Sequence, residues 1–183
     1  VDDAQPTEDF TYGKSAWTDY TYQLKTPWRF IAGVATVLGQ RAIISADYEF
    51  VDYTTAKYTN DGAKNEYWET NNAIKTIYRS THNFRLGAEY RINSIFCLRG
   101  GYSYTASPYK KDEMNEKNDL QTITGGFGLN FGVFYTDLAY LHKNSHINNL
   151  FYYYPTSSGI IESPEFKTKL KNNEFRLTIG IRF

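Results

Sequence analysis

The sequence is poor in the residues that most often carry chemistry. One cysteine, Cys97, and three histidines, His82, His142 and His146, are its whole stock in 183 residues. A lone cysteine permits no internal disulfide. No Ser–His–acid set falls on one face near one end of the pattern described below, so the chain is read as no enzyme. Net charge is missing too: 20 Lys+Arg balance 20 Asp+Glu. A nucleic-acid binder would carry a basic excess to neutralise phosphate, and that class is set aside. No apolar run approaches the ~18 to 20 residues of a membrane-spanning helix. This excludes one kind of membrane protein only, because a barrel strand needs roughly 9 to 11 residues and is apolar at every second position. Mean hydropathy is −0.57, a value that averages such alternation away. Val1 is followed by no secretory signal, which suggests a processed or truncated chain.

Aromatics are abundant at 17%, with 17 Tyr and 12 Phe. Many of them fall into a two-residue rhythm. In NEFRLTIGIRF (173–183), Phe175, Leu177, Ile179, Ile181 and Phe183 alternate with Glu174, Arg176, Thr178, Gly180 and Arg182. HNFRLGAEYRI (82–92) sets Phe84, Leu86, Ala88, Tyr90 and Ile92 against Asn83, Arg85, Gly87, Glu89 and Arg91. PWRFIAGVATVL (27–38), AIISADYEF (42–50) and FCLRGGYSYTA (96–106) behave alike, and LQTITGGFGLNF (120–131) and VFYTDLAYLH (133–142) follow more loosely. Period two over seven segments predicts seven strands. An eighth is expected at 16–24, or else residues 1–25 are a loop with a partial strand.

Short and long connections alternate along the chain. Tight turns are expected around Gly39, Asn93 and Gly132, and long loops at about 55–81, 107–119 and 143–172. Transmembrane barrels are wired this way, with short turns on the periplasmic side.

Charge assigns the faces. All twelve lysines are expected in loops or at strand ends, whereas several arginines and acids sit inside strands, on the small or polar face. Asp47, Glu49, Arg85, Glu89, Arg91, Arg99, Asp137, Glu174, Arg176 and Arg182 form this set. A charge facing lipid at mid-bilayer costs ~2 to 4 kcal/mol, so these ten must point inward. Five acids and five arginines would make a nearly neutral, cross-linked lumen, and the planar guanidinium suits it by bonding carboxylates in two places. The competing reading is a soluble sandwich with its apolar face inside. Aromatics near strand ends, arginine rather than lysine on the polar face, and the strict alternation of connections favour an antiparallel transmembrane β-barrel.

The ordered series TPWRFIAGVATVLGQRAIISADYEFVDYTTAKY, NNAIKTIYRSTHNFRLGAEYRI, LRGGYSYTASPYKK, LQTITGGFGLNF, FYTDLAYLHK and the tail resembles the C-terminal half of the FadL/TodX family of outer-membrane transporters. The likeness is to the Bacteroidetes type, some of whose members are labelled haemin receptors. It covers most of 26–183. It implies about seven or eight strands of a fourteen-stranded barrel in the bacterial outer membrane, passing hydrophobic molecules such as fatty acids or aromatic hydrocarbons by passive diffusion. It also implies partners: outer-membrane lipid and lipopolysaccharide, a hydrophobic ligand, and the assembly machinery for which Phe183 would be an insertion signal. The family's plug sequence does not precede the strands. Either a separate chain or cleaved segment supplies the N-terminal half, or this is a small barrel of eight strands. A structural or accessory subunit of a secretion or assembly complex is the alternative function.

No cofactor or metal is expected. His142 and His146, in HKNSH, raise a haem or metal reading, but their spacing aligns two imidazoles only on a helix. Asn60, Asp61, Gly62 and Glu66 fit no EF-hand spacing and read as a turn. NEYWETNNAIKTIY (65–78) reads as an amphipathic helix, with Trp68, Ile74, Ile77 and Tyr78 as its sticky side. With Phe151, Tyr152, Tyr153 and Tyr154, residues Trp68 and Tyr78 are the candidate contacts for ligand or partner. Cys97 is read as a small inward filler.

Overall fold

A computed structural model of the chain describes residues 22–60, 67–156 and 159–183. In order, its elements are β1 (Gln23–Lys25), β2 (Trp28–Leu38), β3 (Ala42–Asp52), a 3-10 turn (Tyr53–Thr55), β4 (Lys57–Thr59), α1 (Trp68–Ile77), β5 (Ser80–Arg91), β6 (Phe96–Thr105), β7 (Leu120–Asn130), β8 (Phe134–Asn149), β9 (Tyr153–Thr156), β10 (Gly159–Glu162) and β11 (Phe166–Ile181). Seven strands form one antiparallel sheet in the order β2-β3-β5-β6-β7-β8-β11. Each neighbour is the next long strand in sequence, which is the up-and-down topology of a β-barrel wall. The sheet is not closed. With seven alternating strands, β2 and β11 run the same way, so these two edges cannot meet antiparallel.

Short turns close one end. Asn93 builds one of them, its side-chain oxygen accepting from the backbone N–H groups of Ile95 (2.9 Å) and Phe96 (2.7 Å). At the next, Asn130 accepts from Gly132 N–H at 3.1 Å. The other end carries the long connections.

Nothing in the described chain covers the apolar face. Among those residues Val51 is the one buried hydrophobic side chain, while Leu177 is 66% and Ile179 72% exposed. Directly paired residues share a face, so the register fixes where the apolar belt lies. Tyr48, Phe84, Tyr104, Gln121, Asn144 and Lys171 form one cross-strand row. Relative to this row the top of the belt stands four residues higher on β2, at Trp28, and four residues lower on β11, at Phe175. That drop of eight residues is about 26 Å over six strand spacings of about 4.8 Å. The belt is level only if the strands tilt by about 40°, the tilt of membrane barrels. Aromatic rings mark its upper rim: Trp28 on Phe50 (6.0 Å between centroids), Tyr48 on Phe84 (5.3 Å) and Tyr140 on Phe175 (5.0 Å).

Two expectations need correction. The loop placed at 143–172 is shorter, because β8 runs on to Asn149 and β11 begins at Phe166. His146, Lys143, Lys167, Lys169 and Lys171 are therefore strand residues, not loop residues, and His142 lies within β8 rather than at its end. The apolar rhythm stops at Tyr140 and Phe175 because the hairpin leaves the belt there; its backbone pairing continues. The eighth strand at 16–24 is not part of the sheet where it is described. Gln23–Lys25 pairs with Lys57–Thr59 in a separate ladder, and residues 16–21 lie outside the described residues. The turn at 61–66 lies outside them as well.

Candidate functional site: the charged face and the long-loop rim

The alternation that exposes Phe84 and Leu86 turns Arg85 and Gly87 to the opposite side, and there the charges meet. Glu49 on β3 receives Arg29 from β2 and Arg85 from β5, both at 3.4 Å, and Asn83 Nδ2 at 3.2 Å. Glu89 on β5 receives Arg91 at 3.1 Å and Arg99 of β6 at 2.8 Å. Arg99 reaches on across β7 to Asp137 of β8. Glu174 on β11 takes Arg176 at 2.6 Å and Lys143 of β8 at 3.8 Å. The Arg182 guanidinium instead lies 5.3 Å from the centre of the Tyr135 ring, a cation–π contact.

Nine of the ten charges singled out in the sequence thus take part in close contacts on one face. Asp47 is the exception. It stands directly across from Arg85, yet the Arg85 side chain leans to Glu49. Arg29 and Lys143 belong to the network and were missed. Arg29 lies one residue from the start of β2, and Lys143 lies in what reads as loop.

Two glycines make the face possible. A Cβ on Gly128 would overlap the Asp137 carboxylate and the Cys97 sulfur, so β7 leaves room for the Arg99–Asp137 pair to cross it. A Cβ on Gly180 would overlap the Tyr135 ring. Near the short turns these groups line a cavity of about 280 Å³, whose walls include Glu89, Arg91, Arg99, Asp137 and Arg182. Arg99 ties three strands through two acids. Arg99→Met is expected to cost about 1 to 2 kcal/mol, less than for a buried pair because water reaches this face. Arg99→Lys should fall between, since a point charge cannot bridge both acids. The urea midpoint of the refolded protein reads the difference.

At the long-loop end, α1 is followed by Tyr78, whose ring packs at a tilt against Tyr109 (5.2 Å) and Tyr53 (6.5 Å). Burial and the neighbouring Tyr109 hydroxyl hold the Tyr78 phenol above its ordinary pKa. Backbone bonds from Arg79 N–H to Pro108 and from Lys110 N–H to Ile77 tie this connection to the next. Asn148 then links β8 to that loop through Asn115 (2.9 Å) and Met114 (2.7 Å). Tyr78 is therefore part of a packed rim. Trp68, at the start of α1, is exposed. Phe151, Tyr152, Tyr153 and Tyr154 stand exposed on a different piece, at and before the small β9–β10 hairpin. Phe183 lies two residues past the end of β11 and is exposed.

His142 and His146 sit on the apolar side of β8, above the belt, and four residues along a strand separate them by about 13 Å. They cannot share one ion. His142 Nδ1 is 2.7 Å from Asn173 Oδ1, and His82 Nδ1 is 2.6 Å from the Tyr48 hydroxyl.

No family model matches the chain, and no curated protein matches it in sequence. Among solved structures, the crystal structure of a Pseudomonas aeruginosa FadL homologue aligns with a TM-score of 0.55 and 15% sequence identity. The alignment covers 85% of this chain and 35% of the homologue, so the chain spans about a third of that protein's length. The fold is FadL-like.

Proposed function

We propose that the chain forms part of the wall of a FadL-type barrel in the bacterial outer membrane, through which hydrophobic small molecules of the fatty-acid or aromatic-hydrocarbon class enter by passive diffusion. The observation that carries this reading is the division of one tilted sheet into an uncovered apolar belt and a face whose charges neutralise one another. A general water-filled porin would keep an open, unbalanced field at its constriction. Here six arginines and lysines of the charged face, Arg29, Arg85, Arg91, Arg99, Lys143 and Arg176, are held by acids, which suits a cargo that carries little charge. Rim aromatics such as Trp68 would gather the cargo before it enters.

Deleting the gene for the full-length protein is expected to reduce uptake of a labelled long-chain fatty acid or aromatic hydrocarbon. Mass spectrometry of the purified protein should find such a molecule bound. Unchanged uptake together with no bound hydrophobic molecule would defeat the proposal.

One observation favours a second reading, an accessory subunit of a secretion or assembly complex. Phe151, Tyr152, Tyr153 and Tyr154 are 57 to 76% exposed side by side, and rows of bare rings suit protein contact. In that case Tyr152/Tyr153/Tyr154→Ser releases a stoichiometric partner in a native-membrane pull-down and leaves uptake untouched.

A further inference from the structure

The β8–β11 hairpin rises beyond the sheet. Five residues of β8, Ser145 to Asn149, lie past its last pair with β7, Asn144 with Gln121, and pair with β11 alone. On the side of the hairpin that continues the apolar belt, the residues change character above Tyr140 and Phe175. Lys171, Lys169 and Lys167 follow one another at alternate positions of β11, across from Asn144, His146 and Asn148. All three lysines are exposed. No acid shares that side of either strand from 142 to 149 or from 166 to 173; Glu174 points the other way, into its pairs with Arg176 and Lys143. A further strand added at the free edge of β11 would leave these side chains pointing outward, because an edge neighbour pairs backbone, not faces.

We propose that this lysine row is a binding site for the phosphates of lipid A, the glycolipid of the outer leaflet. The inference rests on the outer-membrane reading above. Depth is the first argument. The Tyr140 hydroxyl donates to Asn173 Oδ1 at 2.8 Å, which marks where ring gives way to polar surroundings. Lys171 is four residues above Phe175, about 13 Å along the strand and about 10 Å in height at a 40° tilt. Its side chain can reach down into the headgroup layer, which is about 5 to 8 Å thick on each side, while its stem stays on apolar surface. Lys169 and Lys167 stand at successive steps of about 5 Å, above the first layer of phosphates and within reach of those on the adjoining sugars.

The choice of cation is the second argument. Arginine holds carboxylates on the charged face, where its fork meets two oxygens at fixed geometry. The outward row is lysine throughout. Three flexible ammonium groups at about 7 Å intervals suit mobile phosphates better than a rigid carboxylate partner. Each lysine near an anionic leaflet should strengthen binding roughly five-fold, and three together about a hundred-fold.

The test uses the full-length protein purified in detergent. Native mass spectrometry titrations compare diphosphorylated lipid A, lipid A stripped of phosphate, phosphatidylglycerol and inorganic phosphate. Wild type is expected to hold diphosphorylated lipid A best and inorganic phosphate not at all at millimolar concentration. Lys167/Lys169/Lys171→Gln should weaken lipid A binding by one to two orders of magnitude, and Lys167/Lys169/Lys171→Arg should restore it. Heat-modified gel mobility checks that each variant is folded. Equal lipid A binding by wild type and the Gln variant overturns the proposal, as does equal retention of phosphate-stripped lipid A or phosphatidylglycerol. Wild-type binding of inorganic phosphate that competes with lipid A would mark a free-anion site and overturn it too. A protein that inserts into vesicles and fractionates with outer membrane, yet shows no lysine dependence, sinks this inference and leaves the outer-membrane reading standing. Failure to fractionate there sinks the reading itself.

Discussion

Leu177→Arg is expected to destabilise the membrane-inserted protein by about 1 to 3 kcal/mol, because the cost of a lipid-facing cation falls from the mid-bilayer value towards the interface and Leu177 lies one step inside the Phe175 rim. Leu177 is the second belt residue from the top of β11 and is largely uncovered by protein, so no neighbour can neutralise an added charge. Thr178→Arg, one residue on, is the control. Thr178 shares the charged face with Asp137, its direct partner, and an arginine there adds a cation beside an acid. The effect of Thr178→Arg should stay within about 1 kcal/mol. Urea titration of protein refolded into phosphatidylcholine vesicles measures both. Equal effects at 177 and 178 would mean that the sheet does not divide bilayer from lumen at all. Because the two positions differ by one residue, helix or loop propensity cannot account for the contrast.

Gly128→Leu is expected to cost about 3 kcal/mol and to do so without touching the belt. A side chain at 128 would enter the space through which Arg99 reaches Asp137, so over-packing and a broken ion pair add in one substitution. Arg99→Met in the same background should then cost about half of what it costs alone, since the pair with Asp137 is already lost and the contact with Glu89 remains to lose. A double-mutant cycle on urea midpoints reads that coupling. Gly125→Leu is the comparison: Gly125 is on the opposite, belt side and has open space around it. Strict additivity of Gly128→Leu and Arg99→Met would show that the crossing pair does not depend on the gap in β7.

The sheet and its two faces were legible because a side chain's preference for lipid or water is a property of that residue alone. Alternation along HNFRLGAEYRI therefore places Arg85 opposite Phe84 whatever the partner strand is. Which acid Arg85 meets was not legible. Register sets Asp47 directly across, and the reach of the guanidinium along the barrel face takes it to Glu49 instead. The upper half of β8 and β11 was invisible for a related reason. Above the belt no lipid sorts the side chains, so KNSH and KTKLKN carry no apolar rhythm, and strand structure there depends on hydrogen bonds between segments some twenty residues apart. Lys143 escaped notice with those stretches, and Arg29 because it lies one residue from the start of β2. The glycines at 128 and 180 gave no signal because what they accommodate, Asp137 and Tyr135, comes from a neighbouring strand.

The amino-acid order by itself determined that this chain makes strands with one greasy and one charged side, and where most of the tight turns fall, since these follow from local transfer preferences and backbone chemistry. Tertiary structure alone decided the tilt, the ion pairs and the height of the last hairpin. Each of those depends on how one strand is shifted against the next, and that shift is fixed only when the strands hydrogen-bond.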